Sequence, residues 1–291
     1  MASPESPPIS GRSHLAIHYR SSSERNVYAN HILIPRSRII QFFGIIVPLT
    51  NLRKLSAYDR WFFSGASVLI LVAVFVGFAK TYYLAGIFKA PLPSVIVHIH
   101  GAVFSAWVLL LITQTSLVAA KRVDLHRDLG RLGIAIACLM IILGLAAATD
   151  SLARKFVDDA SAMQSRAFFA VPIADMLVFG TLIYLGFRKR FDKDTHKRLM
   201  LLATIALLDA AFVRWPIEVD WWNLRAAQGC CLLLLLSLVG YDLWSRGKIH
   251  PYTLWPGLFL LIVELIRDPI GHTGPWQSFA ASVQHLALSL R

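Results

Sequence analysis

The chain has 291 residues, 56% of them hydrophobic and only 16% charged, with a mean hydropathy of +0.57 and a formal net charge of +12. A soluble domain carries about a quarter charged residues; here the apolar residues fall in long blocks rather than periodic faces, which argues against a water-soluble fold. The basic residues sit in short clusters between those blocks, as membrane topology demands, so the charge points to a bilayer and not to nucleic acid.

Residues 1–38 read as a flexible basic tail, with a Pro-rich start and Ser21, Ser22 and Ser23, and they contain no cleavable signal peptide. Residues 39–61 begin with an apolar stretch too short for the ~20 residues a crossing needs, so they are expected to lie in the interface. The transmembrane bundle then occupies residues 62–268. Its crossings are expected at about 62–79, 94–120, 132–149, 167–187, 199–215, 226–243 and 252–266, with a polar loop at 150–166. The seventh is short and contains Pro256. Residues 269–291 form an amphipathic surface helix, in which Trp276, Phe279, Val283, Leu286 and Leu290 recur at helical spacing. The fold class is therefore an all-α polytopic membrane bundle.

With the N-terminus inside, the inner segments carry 20 of the 29 Lys and Arg residues and the outer ones 9. This positive-inside bias predicts N-terminus in, C-terminus out, in a bacterial inner (cytoplasmic) membrane. Cys138, Cys230 and Cys231 lie inside apolar blocks without zinc-ligand spacing and read as small hydrophobes.

Two inner loops echo each other. Asp124-Leu125-His126-Arg127-Asp128-Leu129 and Asp194-Thr195-His196-Lys197-Arg198-Leu199 share the pattern D-x-H-[R/K]-x-L, 70 residues apart, and each opens a crossing. The stretch Leu125 to Leu132 resembles the L-H-R-x-L-G-R-[LY] motif of a bacterial multi-pass membrane family of unassigned function. In that family a histidine near the start of the preceding helix comes earlier, here in His98-Ile99-His100-Gly101, and an H-[R/K]-R-[WL]-M motif comes later, here His196 to Met200. The resemblance spans residues 95–216, a four-helix core, and implies a fold but no activity. At position 133, where many members have Tyr, this chain has Gly133.

Ionisable groups inside a bilayer are costly and mark function. His100, Asp175 and Asp209 lie at similar depths on three crossings, roughly 9–12 Å below the outer boundary, and could hold a divalent metal or pass protons. Arg214 and Glu264 lie nearer the same surface, and Asp209 with Arg214 is the pairing expected if these groups only tie helices together. Trp107 and Gln114 follow His100 at seven-residue intervals, a polar stripe facing the bundle. His126 and His196, at inner helix starts, could ligate one haem iron. The plainer expectation there is helix starts capped by Asp124 and Asp194, with basic residues touching lipid phosphates. No H-E-x-x-H, P-loop or G-x-S-x-G motif is present. Three functions follow: an accessory or structural subunit associated with other membrane-protein subunits, a haem- or metal-binding redox protein, or a proton-coupled transporter.

Overall fold

The computed structural model describes residues 49–91, 94–154, 159–217 and 224–290. The tail 1–38 and residues 39–48 of the interfacial segment lie outside the described residues, as do Lys155 and Asp158 of the expected loop. Residues 53–291 form one unit; of the unit before it only residues 49–52 are described, as the opening of a helix. The described residues contain helices and no strand.

In chain order the helices are α1 (Leu49–Phe78), which ends in a π-helical turn (Ala79–Tyr83), α2 (Val95–Ala119), α3 (Val123–Leu152), α4 (Asp159–Phe168), α5 (Ala170–Arg188), α6 (Lys193–Ile205), α7 (Asp209–Phe212), α8 (Leu224–Arg246), α9 (Pro251–Gly271) and α10 (Gly274–Ser289). Five runs are long and apolar enough to cross a membrane: Ala57–Tyr83, Val95–Ala119, Val123–Leu152, Asp159–Arg188 and Arg225–Arg246. The expected fifth and seventh crossings differ from these. Where residues 199–215 were expected to form one rod, α6 stops at Ile205 and α7 begins at Asp209. Helix α9 has 21 residues but carries Glu264, Arg267 and Asp268 near its end.

Local chemistry sets several of these ends. Ser94 caps α2, its hydroxyl accepting from the Val97 amide at 3.5 Å. Pro251 opens α9 behind His250, whose Nδ1 accepts from the Tyr252 amide at 3.1 Å. The loop expected at 150–166 is mostly helical, because α3 continues to Leu152 and α4 begins at Asp159.

The core is central to α5 and α6, from which Phe179, Leu182, Leu199 and Leu202 are fully enclosed, and α1, α2, α3, α8 and α9 pack around it. Helix α3 buries Gly133, Ala137, Met140, Gly144 and Ala148, a stripe of mostly small residues at helical spacing. From Leu132 to Ala148 the helix is apolar all round, so residue size and not polarity distinguishes that buried face. The outward faces remain apolar: Leu69, Val72 and Phe75 on α1, Ile142 on α3, Leu177 on α5 and Leu233 on α8 are exposed. Water penalises such a continuous apolar exterior.

The C-terminal helix docks by a narrow inward face and leaves part of its apolar stripe outward. Ala280 and Gln284 face inward, while Phe279 and Leu286 are exposed. Gln284 Nε2 donates to the Leu152 carbonyl at 2.8 Å, its Oε1 accepts from Arg166 Nε at 2.9 Å, and Trp276 Nε1 donates to the Arg166 carbonyl at 2.9 Å. These polar contacts, invisible to a hydrophobic pattern, dock α10 against α3 and α4.

Gly77 allows α1 to approach α7 closely: a Cβ there would stand 2.2 Å from the Ala211 carbonyl oxygen. At Gly65, in the same helix, a Cβ meets nothing within 4 Å. Gly77→Ala should therefore lower thermal stability in detergent by about 1–3 kcal/mol through overpacking, while Gly65→Ala leaves it unchanged or slightly raised. Equal melting temperatures for the two variants would show that α1 and α7 do not touch there.

Candidate functional site

Two buried charged nodes occur, at opposite ends of α6. The first is built where the helix fails. Leu207 and Leu208 donate to the Thr204 and Ile205 carbonyls at 3.1 and 3.0 Å, a three-residue bonding step that tightens and ends the helix. No Gly or Pro lies in the 206–208 turn. The turn sets Asp209 at the start of α7, and Trp107 braces the last turn of α6 by donating to Thr204 Oγ1 at 3.2 Å.

Asp209, 1% exposed, meets Arg267 from α9, 2% exposed. The guanidinium is divided between two helices: Nη2 donates to Asp209 and Nη1 to Asp175 of α5. Glu264 lies one turn before Arg267 on α9, and Gln228 of α8 donates to its backbone carbonyl at 3.3 Å. Glu264 Oε1 and Arg267 Nε are buried without a hydrogen-bond partner. The node thus joins two carboxylates to one guanidinium, with the Glu264 carboxyl buried one turn along α9. Asp175 and Asp209 do come together, as the sequence suggested, but an arginine holds them.

Asp209 does not pair with Arg214 as expected. Arg214 instead bonds the Ala210 carbonyl and lies over the Phe78 ring, 5.0 Å from its centroid. His100 packs on Phe104, ring centroids 4.1 Å apart, with Nδ1 buried and unpartnered. His98, two residues away, is exposed beside Tyr82. Among the described residues no group of three or more His, Cys, Asp or Glu side chains could hold a metal; His100, Asp175 and Asp209 do not make one.

The second node surrounds Arg198, which is 1% exposed. Its Nε donates to Asp242 Oδ1 at 3.0 Å, Nη2 donates to the same oxygen, and Nη1 donates to the Asp194 carbonyl at 2.7 Å. Asp242, fully buried on α8, also accepts from Thr253 Oγ1 at 2.6 Å and the His250 amide at 3.0 Å. At the rim Lys197 joins Asp59 of α1 at 2.7 Å and Asp194 at 2.9 Å, and Arg246 reaches Asp194 at 3.2 Å. Lys197 and Arg198 therefore bind carboxylates within the bundle, where contact with lipid phosphates was expected. The α6 cap is Asp192, which accepts from the Asp194 and Thr195 amides. The Thr195 hydroxyl, at 2.6 Å, foremost holds the Asp192 carboxyl below the ordinary carboxylate range. Asp124 makes no cap either; it lies 3.8 Å from Arg122 in an exposed ion pair.

His126 and His196 are brought together, their ring centroids 6.3 Å apart and planes at 83°. The polar stripe of α2 faces inward: Trp107 is buried, and Gln114 Nε2 donates to the His126 carbonyl at 3.1 Å. The residue that sequence reasoning missed is Arg267. Gly257, Leu260, Glu264, Arg267 and Gly271 share the buried face of α9, and that spacing was the available signal. No protein-family model, curated protein or solved structure matches the chain.

Removing one partner from a buried ion pair costs about 3–5 kcal/mol, because it strands a charge. Arg198→Met should lose stability on that scale in thermal unfolding in detergent, and Arg198→Met with Asp242→Leu should lose less than the two single losses combined. Arg267→Met, which strands two carboxylates, should be worse than Asp175→Asn. The opposite ranking would place Arg267 outside the node.

Proposed function

We propose that this is a seven-crossing membrane protein, N-terminus inside and C-terminus outside a bacterial-type inner membrane, in which the Asp175–Asp209–Glu264–Arg267 node carries an exchangeable proton for coupled transport. The reading counts the α6–α7 run and α9 as crossings in addition to the five long apolar runs. The observation that carries the functional reading is the node itself: two carboxylates share one buried guanidinium, and a third carboxyl, Glu264, is buried one turn away on α9 with Oε1 unpartnered. An isolated buried carboxylate is costly by several kcal/mol, so a proton is the cheapest way to balance the excess acid. Ionisable groups in bundle interiors mark proton pathways, and irregular backbone inside a membrane occurs where it lines a functional site. The break at 206–208 supplies that irregularity beside Asp209.

The protein reconstituted in liposomes should show an infrared carbonyl stretch from a protonated carboxyl. That band should shift in heavy water, respond to bulk pH and disappear in Glu264→Gln. A band that is absent, or indifferent to both pH and heavy water, would sink the proton reading. The node would then be a helix clamp and the chain an assembly subunit among other membrane proteins.

Orientation has its own test. In a background without the three native cysteines, a membrane-impermeant maleimide on intact cells should label His272→Cys and spare Lys248→Cys until the membrane is opened. The reverse pattern would overturn the orientation.

A further inference from the structure

The strongest group outside the proton node joins three helices at the other end of the bundle. His126 opens α3, His196 opens α6, and Gln114 lies on the last turns of α2. The His196 imidazole is fixed by a backbone carbonyl. His196 Nδ1 lies 2.9 Å from the Gly186 carbonyl oxygen. A carbonyl can only accept, so Nδ1 carries the proton and Nε2 keeps its lone pair. His126 Nδ1 is buried without a partner. Gln114 Oε1 is likewise buried and unpartnered, because Gln114 spends its amide on the His126 carbonyl.

Buried polar atoms are nearly always satisfied, so His126 Nδ1 and Gln114 Oε1, both buried and unpartnered, require an explanation. A ring nitrogen tied to a carbonyl, with its opposite nitrogen presented as a lone pair, is the arrangement of histidines that bind metals. The spacing agrees. With metal–nitrogen bonds of about 2 Å and ring nitrogens roughly 1 Å from their centroids, two imidazoles on one metal have centroids about 5–6 Å apart. The observed 6.3 Å at 83° lies just beyond that range, so the rings would close by a few tenths of an ångström onto a metal.

We infer that His126 and His196, with Gln114 Oε1 alongside, form a binding site for one first-row transition metal, as a free ion or as haem iron. This site is independent of the proton node, since it shares no residue with it. Zinc, cobalt, copper and iron all accept imidazole nitrogen, whereas magnesium and calcium prefer oxygen.

The test uses the full chain, purified in mild detergent through a tag free of histidine. A Soret band in the protein as isolated identifies the iron as haem. Without one, chelator-treated protein is titrated with Co2+, which reports nitrogen ligation by its visible absorption. The expected result is one equivalent bound per chain, reduced at least tenfold in affinity by His126→Ala and by His196→Ala and unchanged by His250→Ala. The wild-type titration decides even if a variant fails to fold: no Soret band together with no saturable Co2+ absorption overturns the site. Binding that survives both substitutions overturns it as well.

Discussion

Arg267 holds two carboxylates from two other helices, and the packing of the bundle's centre depends on that guanidinium. Asp175 belongs to α5, Asp209 to the break after α6, and Arg267 to α9. Each of these charges, alone in a dry interior, would carry a penalty of several kcal/mol. Together they can be buried only in one relative placement of the three helices. The fork of the guanidinium, with its two terminal nitrogens aimed at different partners, makes that placement geometric as well as electrostatic.

Such a device has a clear use if the exterior faces lipid. Hydrocarbon surrounds the outward Leu, Ile and Phe side chains as comfortably as the core does, so burying them gives little preference for one helix register over another. Two kinds of contact can still choose a register. One is close approach of small residues, seen in the Gly133 to Ala148 stripe of α3 and where Gly77 meets Ala211. The other is a buried polar contact whose loss is expensive. The chain uses both, and the polar contacts sit where α5, α6 and α9 would otherwise be free to slide.

Hydropathy made the apolar helices and the inward stripe of α2 legible, because length and spacing are local properties of the sequence. Asp175 and Asp209 stood out for the same reason, as charges within apolar runs. Their partner did not. Arg267 lies 92 residues from Asp175 and 58 from Asp209, and no local pattern encodes a pairing across such distances. Arg214 was the nearer choice, yet it turns back to its own helix at Ala210. The break at 206–208 was hidden as well, since Ala206, Leu207 and Leu208 are ordinary helix formers. The α6 cap was missed by two residues: Asp192 and Asp194 are equally plausible caps by type, and only the pull of Lys197 and Arg246 on Asp194 separates them.

The two charged nodes also divide the labour of holding the bundle. Arg198 and Asp209 are 11 residues apart along one continuous stretch, and Thr253 and Arg267 are 14 apart on α9, which puts the nodes on the order of 16–21 Å from each other. Between them lies a layer containing Leu199, Leu202, Leu235, Leu238 and Leu260. The Arg198 end is saturated: every oxygen of Asp242 is engaged and every terminal nitrogen of Arg198 has an acceptor. The Arg267 end is not, for Glu264 Oε1 and Arg267 Nε have no partner. A fully satisfied network resists rearrangement, whereas an unsatisfied one gains by taking up a proton or shifting a bond. On the proposed reading this asymmetry leaves the Arg198 end as a fixed clamp and makes the Arg267 end, beside the break in the helix, the place where a proton is taken up.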